Sequence, residues 1–286
     1  QAEKVDGIII DLREDGGGSL QEAIELTGLF IKEGPVVQVK NSDGSVEISN
    51  DPDPGIVYDG PLAVLVNRFS ASASEIFSGV FQDYGRGLII GDQTYGKGTV
   101  QTLIDLNKVT SKSNKKFGQV KITIAKYYRV NGGSTQNLGV IPDISFPTMI
   151  DPKDFGESSE PSALPWDEIK SADFKKFSNL SEYLTKLKEN HLNRISTSKD
   201  FKYLLNDIEL YKKNKEKTFL SLNEAIRKKE KEKEEIRKFE REGKIQEDNG
   251  AELLDDETPQ IETKKDDYIL EESAKILSDL ILLTIG

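Results

Sequence analysis

Two side chains in this sequence have the type and setting for nucleophilic chemistry, Ser72 and Lys97. Ser72 lies in Ser70-Ala71-Ser72-Ala73-Ser74-Glu75, between the apolar stretch Leu62–Val66 and a helical pattern that begins Ile76-Phe77. At a strand-to-helix junction, backbone N–H groups and the helix dipole stabilise developing negative charge, which suits a hydroxyl nucleophile. Lys97 stands between Gly96 and Gly98, just after the apolar stretch Leu88-Ile89-Ile90. Glycines there let the backbone approach closely, and burial favours the neutral, basic amine. Serine with a lysine base is a known variant of the Ser-His-Asp arrangement. A third segment, Asp11–Leu20, carries Gly16-Gly17-Gly18 ahead of another helical pattern. Converging N–H groups in such a run could hold an oxyanion or a phosphate, and a plain strand-to-helix turn accounts for it equally well.

Each segment has a plainer reading. Ser72 with Glu75 three residues on is a capping box, and taken alone that reading is the stronger. Gly91–Lys97 matches the first seven positions of a P-loop, but Gly98 stands where the magnesium-binding hydroxyl belongs. The residues that follow, Val100–Leu106, alternate as a strand instead of opening a helix. The P-loop is rejected.

The elements that must position these residues are legible as far as Pro147. Val5–Leu12, Leu62–Val66 and Leu88–Gly91 read as buried parallel strands, with helices over Leu20–Glu33 and Glu75–Tyr84. Val100–Leu106 and Val120–Tyr128 read as a pair joined by the lysine- and serine-rich loop Lys108–Lys116. This is an α/β sheet covered by helices. Composition then changes. Residues 148–163 read as a polar linker, and 164–286 as a helical, highly charged C-terminal domain. Within it Arg227–Glu235 is a solvated helix face with i,i+4 ion pairs, and Gln246–Asp267 an acidic, poorly ordered loop. The last helix, Tyr268–Ile285, is apolar on more than one face. Packing of its apolar side on the domain is favoured over presentation of the tail to a neighbouring molecule.

Composition sets the limits. The 286 residues carry a net charge of −11, which argues against a nucleic-acid partner. There is no cysteine and one histidine, His191, so thiol chemistry, a Ser-His pair and a multi-histidine metal site are excluded within this chain. His191 lies in a polar helical stretch and reads as a partly exposed structural residue. No metal or other cofactor is expected. The chain starts at Gln1 and enters a buried-looking strand after six residues, so it reads as cut at its start.

Taken together, Asp11-Leu12-Arg13 with Gly16-Gly17-Gly18, Ser70-Ala71-Ser72-Ala73-Ser74-Glu75 and Gly96-Lys97-Gly98-Thr99-Val100-Gln101 resemble the Ser-Lys C-terminal processing peptidases. Lys126-Tyr127-Tyr128-Arg129 and Gly139-Val140-Ile141-Pro142-Asp143 extend the match, which runs from about Asp6 to Asp143 for the peptidase core. Ala163-Leu164-Pro165-Trp166-Asp167 and the charged helices resemble the C-terminal helical domain of bacterial tail-specific proteases.

The resemblance implies a sheet with covering helices of the crotonase/Clp-protease kind, incomplete at its N-terminus, over residues 1–147. It implies a serine endopeptidase, with Ser72 as nucleophile, Lys97 as general base and Gln101 orienting the lysine. The oxyanion donors would be the backbone N–H groups of Ala73 and of Gly17, chosen over Gly18. Asp83 falls at a position considered catalytic in tail-specific proteases, and reads more simply as a structural residue near the end of its helix. The usual Asn-rich turn before the glycines is replaced by Glu14-Asp15, whose carboxylates are expected to face solvent. Substrates would be proteins with apolar, unstructured C-termini. The resemblance places the protein in the periplasm and leaves room for an adaptor protein and for peripheral inner-membrane association. It also implies a preceding PDZ domain, so weak activity is expected of the chain by itself. The alternative from another class is a non-catalytic scaffold that docks a partner through its helices. A crotonase-like acyl-CoA enzyme would need no Ser-Lys pair.

Overall fold

The computed structural model describes residues 5–109, 116–233, 235–236 and 267–285. Four short strands, β1 (Ile8–Asp11), β4 (Leu62–Val66), β5 (Leu88–Gly91) and β8 (Ile144–Ser145), form a parallel sheet in the order β1-β4-β5-β8. The strands β3 (Val46–Asn50), β2 (Pro35–Asn41), β7 (Gln119–Tyr128) and β6 (Thr99–Asp105) form a second, antiparallel sheet in that order. The helices of this region are α1 (Leu20–Gly28), α2 (Ala73–Tyr84) and the single turn α3 (Leu106–Val109).

Parallel strands covered on both faces read as continuous apolar runs, and Leu62–Val66 is buried at every position. The period of two still sorts the side chains. Leu62, Val64, Val66 and Ile89 pack with Phe77 and Phe81 of α2, while Ala63, Leu65, Leu88 and Ile90 face the other way. That second face is covered by Leu187 of α4 (Ser181–Thr197) and by Ile276, Leu277 and Leu280 of the last helix, Tyr268–Ile285. Each fully buried Leu or Ile there is worth roughly 1.5–3 kcal/mol.

α2 is closed at both ends. At its C-terminus Gly85 takes φ 62, its N–H donates to Gln82 and that of Arg86 to Phe81, a Schellman closure. α1 stops at Gly28, short of the expected Glu33, because the chain turns there to bury Phe30 and Ile31 and enter β2. The hairpin β2–β3 was not isolated from the sequence, although Asp43-Gly44 between two strand-like runs is its signal.

By compactness the chain divides into Gln1–Leu205 with Tyr268–Gly286, and Asn206–Asp267. Two contacts hold the residues after 147 within the first of these units. The stretch read as a linker is docked: buried Arg68 donates to the carbonyls of Phe155 (2.7 Å), Pro152 (3.1 Å) and Thr94. The last helix covers the parallel sheet, which is the packing reading of the apolar tail. His191 is likewise buried, not partly exposed. Its Nδ1 lies 2.9 Å from Glu272 Oε1 and its ring stacks on Phe146 at 4.9 Å, because α4 and the last helix enclose it.

In the second unit, the end of α5 (Lys199–Lys215) and α6 (residues 224–233) carry spaced ion pairs, Lys213–Glu209 at 2.7 Å and Lys228–Glu224 at 2.8 Å. The last helix is α7. Most of the acidic stretch 246–267 and residues 110–115 of the lysine-rich loop lie outside the described residues. No helix among the described residues is long and apolar enough to cross a membrane.

Candidate active site

The three segments singled out in the sequence leave the C-terminal ends of three adjacent parallel strands, the glycine run from β1, Ser72 from β4 and Lys97 from β5. That edge is where open α/β sheets bind ligands.

Ser72 stands out by conformation and exposure. From Ser70 to Phe81 it is the sole residue that is not buried. Its backbone is at φ 59, ψ −113, a region that L-residues rarely occupy and that costs of order 1–3 kcal/mol. The flanking serines are committed to the fold. Ser70 Oγ donates to Leu12 O (2.7 Å) and Ser74 Oγ to Asp15 O (3.1 Å), tying the serine turn to the end of β1. The Ala73 N–H, at the α2 N-terminus, has no hydrogen-bond partner among the described residues. Of the positive-φ residues other than glycine, Ser72 is one, Glu14 lies in the glycine segment, and Asn137 bonds Gly96 beside Lys97. Strain among the described residues is thus gathered at one place, a pattern typical of functional sites.

Lys97 is half-buried on a loop whose backbone is fully engaged. Its N–H donates to Glu75 Oε2 (2.9 Å), and its carbonyl accepts from the hydroxyls of Thr135 (2.9 Å) and Tyr127. Gly96 and Gly98 are required by close approach. A Cβ on Gly96 would lie 2.9 Å from Asn137 C, and one on Gly98 2.7 Å from Gln136 N.

Glu75 does more than cap its helix. It is fully buried; its carboxylate accepts from Ser72 N–H (2.8 Å), Lys97 N–H, Gly96 N–H (2.6 Å) and Thr94 Oγ1 (2.6 Å). Burial pushes its pKa up to about 7 against the pull of those four donors. Ser72 and Lys97 donate to the same oxygen, so their nitrogens lie within about 5.7 Å of one another. A lysine stem spans on the order of 6 Å. In this structure no hydrogen bond joins Lys97 Nζ to Ser72 Oγ.

The other expected residues fall as follows. Gln101 is exposed on β6, beside the register shift at Val100/Gln101, and its side chain bonds neither Lys97 nor Ser72. Gly17 (φ +87) packs on the nucleophile turn, where a Cβ would lie 2.4 Å from Ala71 O and 2.8 Å from Ala73 N. Its N–H, however, donates to Asp15 Oδ1 at 2.9 Å, while the Gly18 N–H has no partner among the described residues. Glu14 and Asp15 are both exposed, as expected, and Glu14 also accepts from Asn67 Nδ2 at 2.8 Å. Asp83 is away from the site. It lies eleven residues along α2 from Ser72, about 16 Å, and holds Arg129 through two bonds of 2.6 and 3.1 Å. Burial raises its pKa.

Glu75 and Tyr127 are the residues that sequence reasoning missed as parts of the site. The available signal was a carboxylate placed next to Ile76-Phe77 on an otherwise apolar helix start. Burial raises the Tyr127 hydroxyl well above its usual value, so it stays a donor.

The site is thus a strand-end serine in a strained turn, tied to a lysine loop, and sequence comparison gives the family. Residues 1–146 match peptidase family S41 and residues 150–282 match the C-terminal domain of tail specific protease, so the chain belongs to family S41. It is 42% identical over 290 residues to the tail-specific protease of Haemophilus influenzae, covering 98% of this chain and 41% of that one. It is 39% identical over 143 residues to the carboxy-terminal-processing protease of Bartonella bacilliformis, covering 50% and 31%. Among solved structures it is similar to a photosystem II D1 C-terminal processing protease, at 34% identity and TM-score 0.44, covering 52% and 36%. The chain thus spans less than half the length of these relatives.

Proposed function

We propose that this chain carries the catalytic centre of a serine endopeptidase working through Ser72 and Lys97. The observation that carries the reading is Ser72 itself, accessible and strained within a buried turn, with its backbone bonded to the same carboxylate oxygen as that of Lys97. The Lys97 amine takes the hydroxyl proton as Ser72 Oγ bonds to the scissile carbonyl carbon. The carbonyl oxygen becomes an oxyanion and accepts the Ala73 N–H. The second donor comes from the glycine run, either Gly17 once its N–H leaves Asp15, or Gly18 as it stands. The C–N bond then breaks, Lys97 returns the proton to the amine, and water hydrolyses the acyl-enzyme. Gln101, whose amide has no hydrogen bond among the described residues, is assigned to orient the lysine amine.

The substrates proposed are polypeptides with apolar, unstructured C-termini. A cleft beside Ala73, walled by Leu12, Ala23, Leu26 and Phe77 and rimmed by Asp15 and Glu22, offers room for an apolar side chain. By likeness to tail-specific proteases, the location proposed is the periplasm, with a role at the inner membrane face and with an adaptor. Rapid mixing with a peptide ester, followed by mass analysis, tests the chemistry. The acyl group is expected on Ser72 and is expected to be absent in Lys97→Ala; acylation of another residue would overturn the reading.

A further inference from the structure

Glu75 bonds the main chains of both Ser72 and Lys97, and Tyr127 bonds that of Lys97 beside Ser72. Glu75 accepts the two N–H groups on one oxygen, at 2.8 and 2.9 Å. Tyr127 Oη donates to the Lys97 carbonyl and lies 3.4 Å from that of Ser72. A helix cap needs only the first of the Glu75 bonds. Its other three donors, Thr94 Oγ1, Gly96 N–H and Lys97 N–H, come from the loop after β5, 19 to 22 residues away.

We propose that Glu75 is a positioning residue for the reaction. As a carboxylate it fixes the main chain of the nucleophile against that of the base, with Tyr127 donating its single O–H to the Lys97 carbonyl; this rests on the Ser72–Lys97 reading. Each Glu75 oxygen accepts two donors, an arrangement that suits the acceptor-only carboxylate. A protonated acid brings a hydrogen of its own and must release at least one donor. The clamp therefore tightens as Glu75 ionises, and burial pushes the pKa of that carboxyl up to about 7. The charged and titratable groups around it are Arg68 from the serine turn, Tyr95 and Lys97 from the lysine loop, and Tyr127 from β7.

Two variants separate this role from simple capping. Glu75→Gln keeps the size but turns an amide NH2 toward two donors, and Glu75→Asp keeps the charge but is one methylene short of the lysine loop. Each is expected to lower kcat on the order of 100-fold, the usual cost of a misplacement near 1 Å, with KM little changed. Amide hydrogen exchange gives a readout that needs no turnover. In the wild type, protection of Ser72, Gly96 and Lys97, corrected for intrinsic exchange, should rise together as pH passes through neutrality. In Glu75→Gln it should be low and independent of pH. A folded Glu75→Gln protein with wild-type kcat, or with unchanged protection of these amides, overturns the proposal. Ser72→Ala, assayed beside it, keeps the two readings apart. If that variant still turns over, the dyad reading falls and exchange alone decides the clamp. If it is dead while Glu75→Gln is fully active, the dyad stands and the clamp falls.

Discussion

Gly16, Gly17 and Gly18 are adjacent and chemically identical, yet the structure makes one of them indispensable. A Cβ on Gly17 would lie 2.4 Å from Ala71 O, 2.8 Å from Ala73 N and 2.9 Å from Ser72 Cβ, and its φ is +87. A Cβ on Gly16 or Gly18 would meet nothing within 4 Å. For Gly17→Ala the left-handed backbone alone costs about 1–2 kcal/mol. The collision adds to it, because the nearest neighbours of the new methyl group are main-chain atoms and the Cβ of Ser72, none of which can swing aside. Relief requires the serine turn to move by several tenths of an ångström or more, and a shift near 1 Å costs about 100-fold in rate. Gly16→Ala and Gly18→Ala should instead be neutral or stabilise by about 0.4–1 kcal/mol, through the unfolded chain. Urea melts of the three variants, with turnover of a peptide substrate, read both effects. Wild-type activity and stability in Gly17→Ala would refute the claim that the glycine run packs on the nucleophile.

Other consequences follow from single contacts. Asp83→Ala should cost about 1–3 kcal/mol by removing the carboxylate from partly buried Arg129, which keeps Gln82 Oε1 and the Gly79 carbonyl, with kcat per folded molecule retained; denaturant melts and activity measured together check this. Glu75 sets a pH dependence of stability. Its folded carboxyl lies at about 7 against the usual 4.5, so its contribution is fully present below 4.5 and is lost as pH rises to about 7. The loss is about 3 kcal/mol, and a comparison of unfolding free energy with Glu75→Gln across that window should show it vanish in the variant. Activity should move the opposite way, since the clamp needs the ionised form. Leu277→Ala should cost about 2–5 kcal/mol, because this α7 side chain sits in the core behind β4 and β5; thermal melts would show it.

How much of this was legible depended on whether a residue acts locally. Ser72 and Lys97 could be found because small residues and glycines at strand ends leave a local mark, and Leu62–Val66 and Leu88–Gly91 because buried parallel strands are continuous apolar runs. Glu75 could be read only as the partner of Ser72 at i+3, since its bonds to residues 94–97 depend on the packing of two loops. Arg68 gave no sign that it binds the carbonyls of residues 152 and 155, so a docked segment looked like a linker. Nor does helical periodicity in α7 say which surface its apolar side covers. The answer, the far face of the parallel sheet, also explains why His191 is buried.

The most direct test of the central claim is degradation of an unfolded protein such as casein by this chain, beside Ser72→Ala and Lys97→Ala. The account predicts cleavage by the wild type and none by either variant, with melting temperatures unchanged. Cleavage that survives either substitution, or none by the folded wild type, would contradict it.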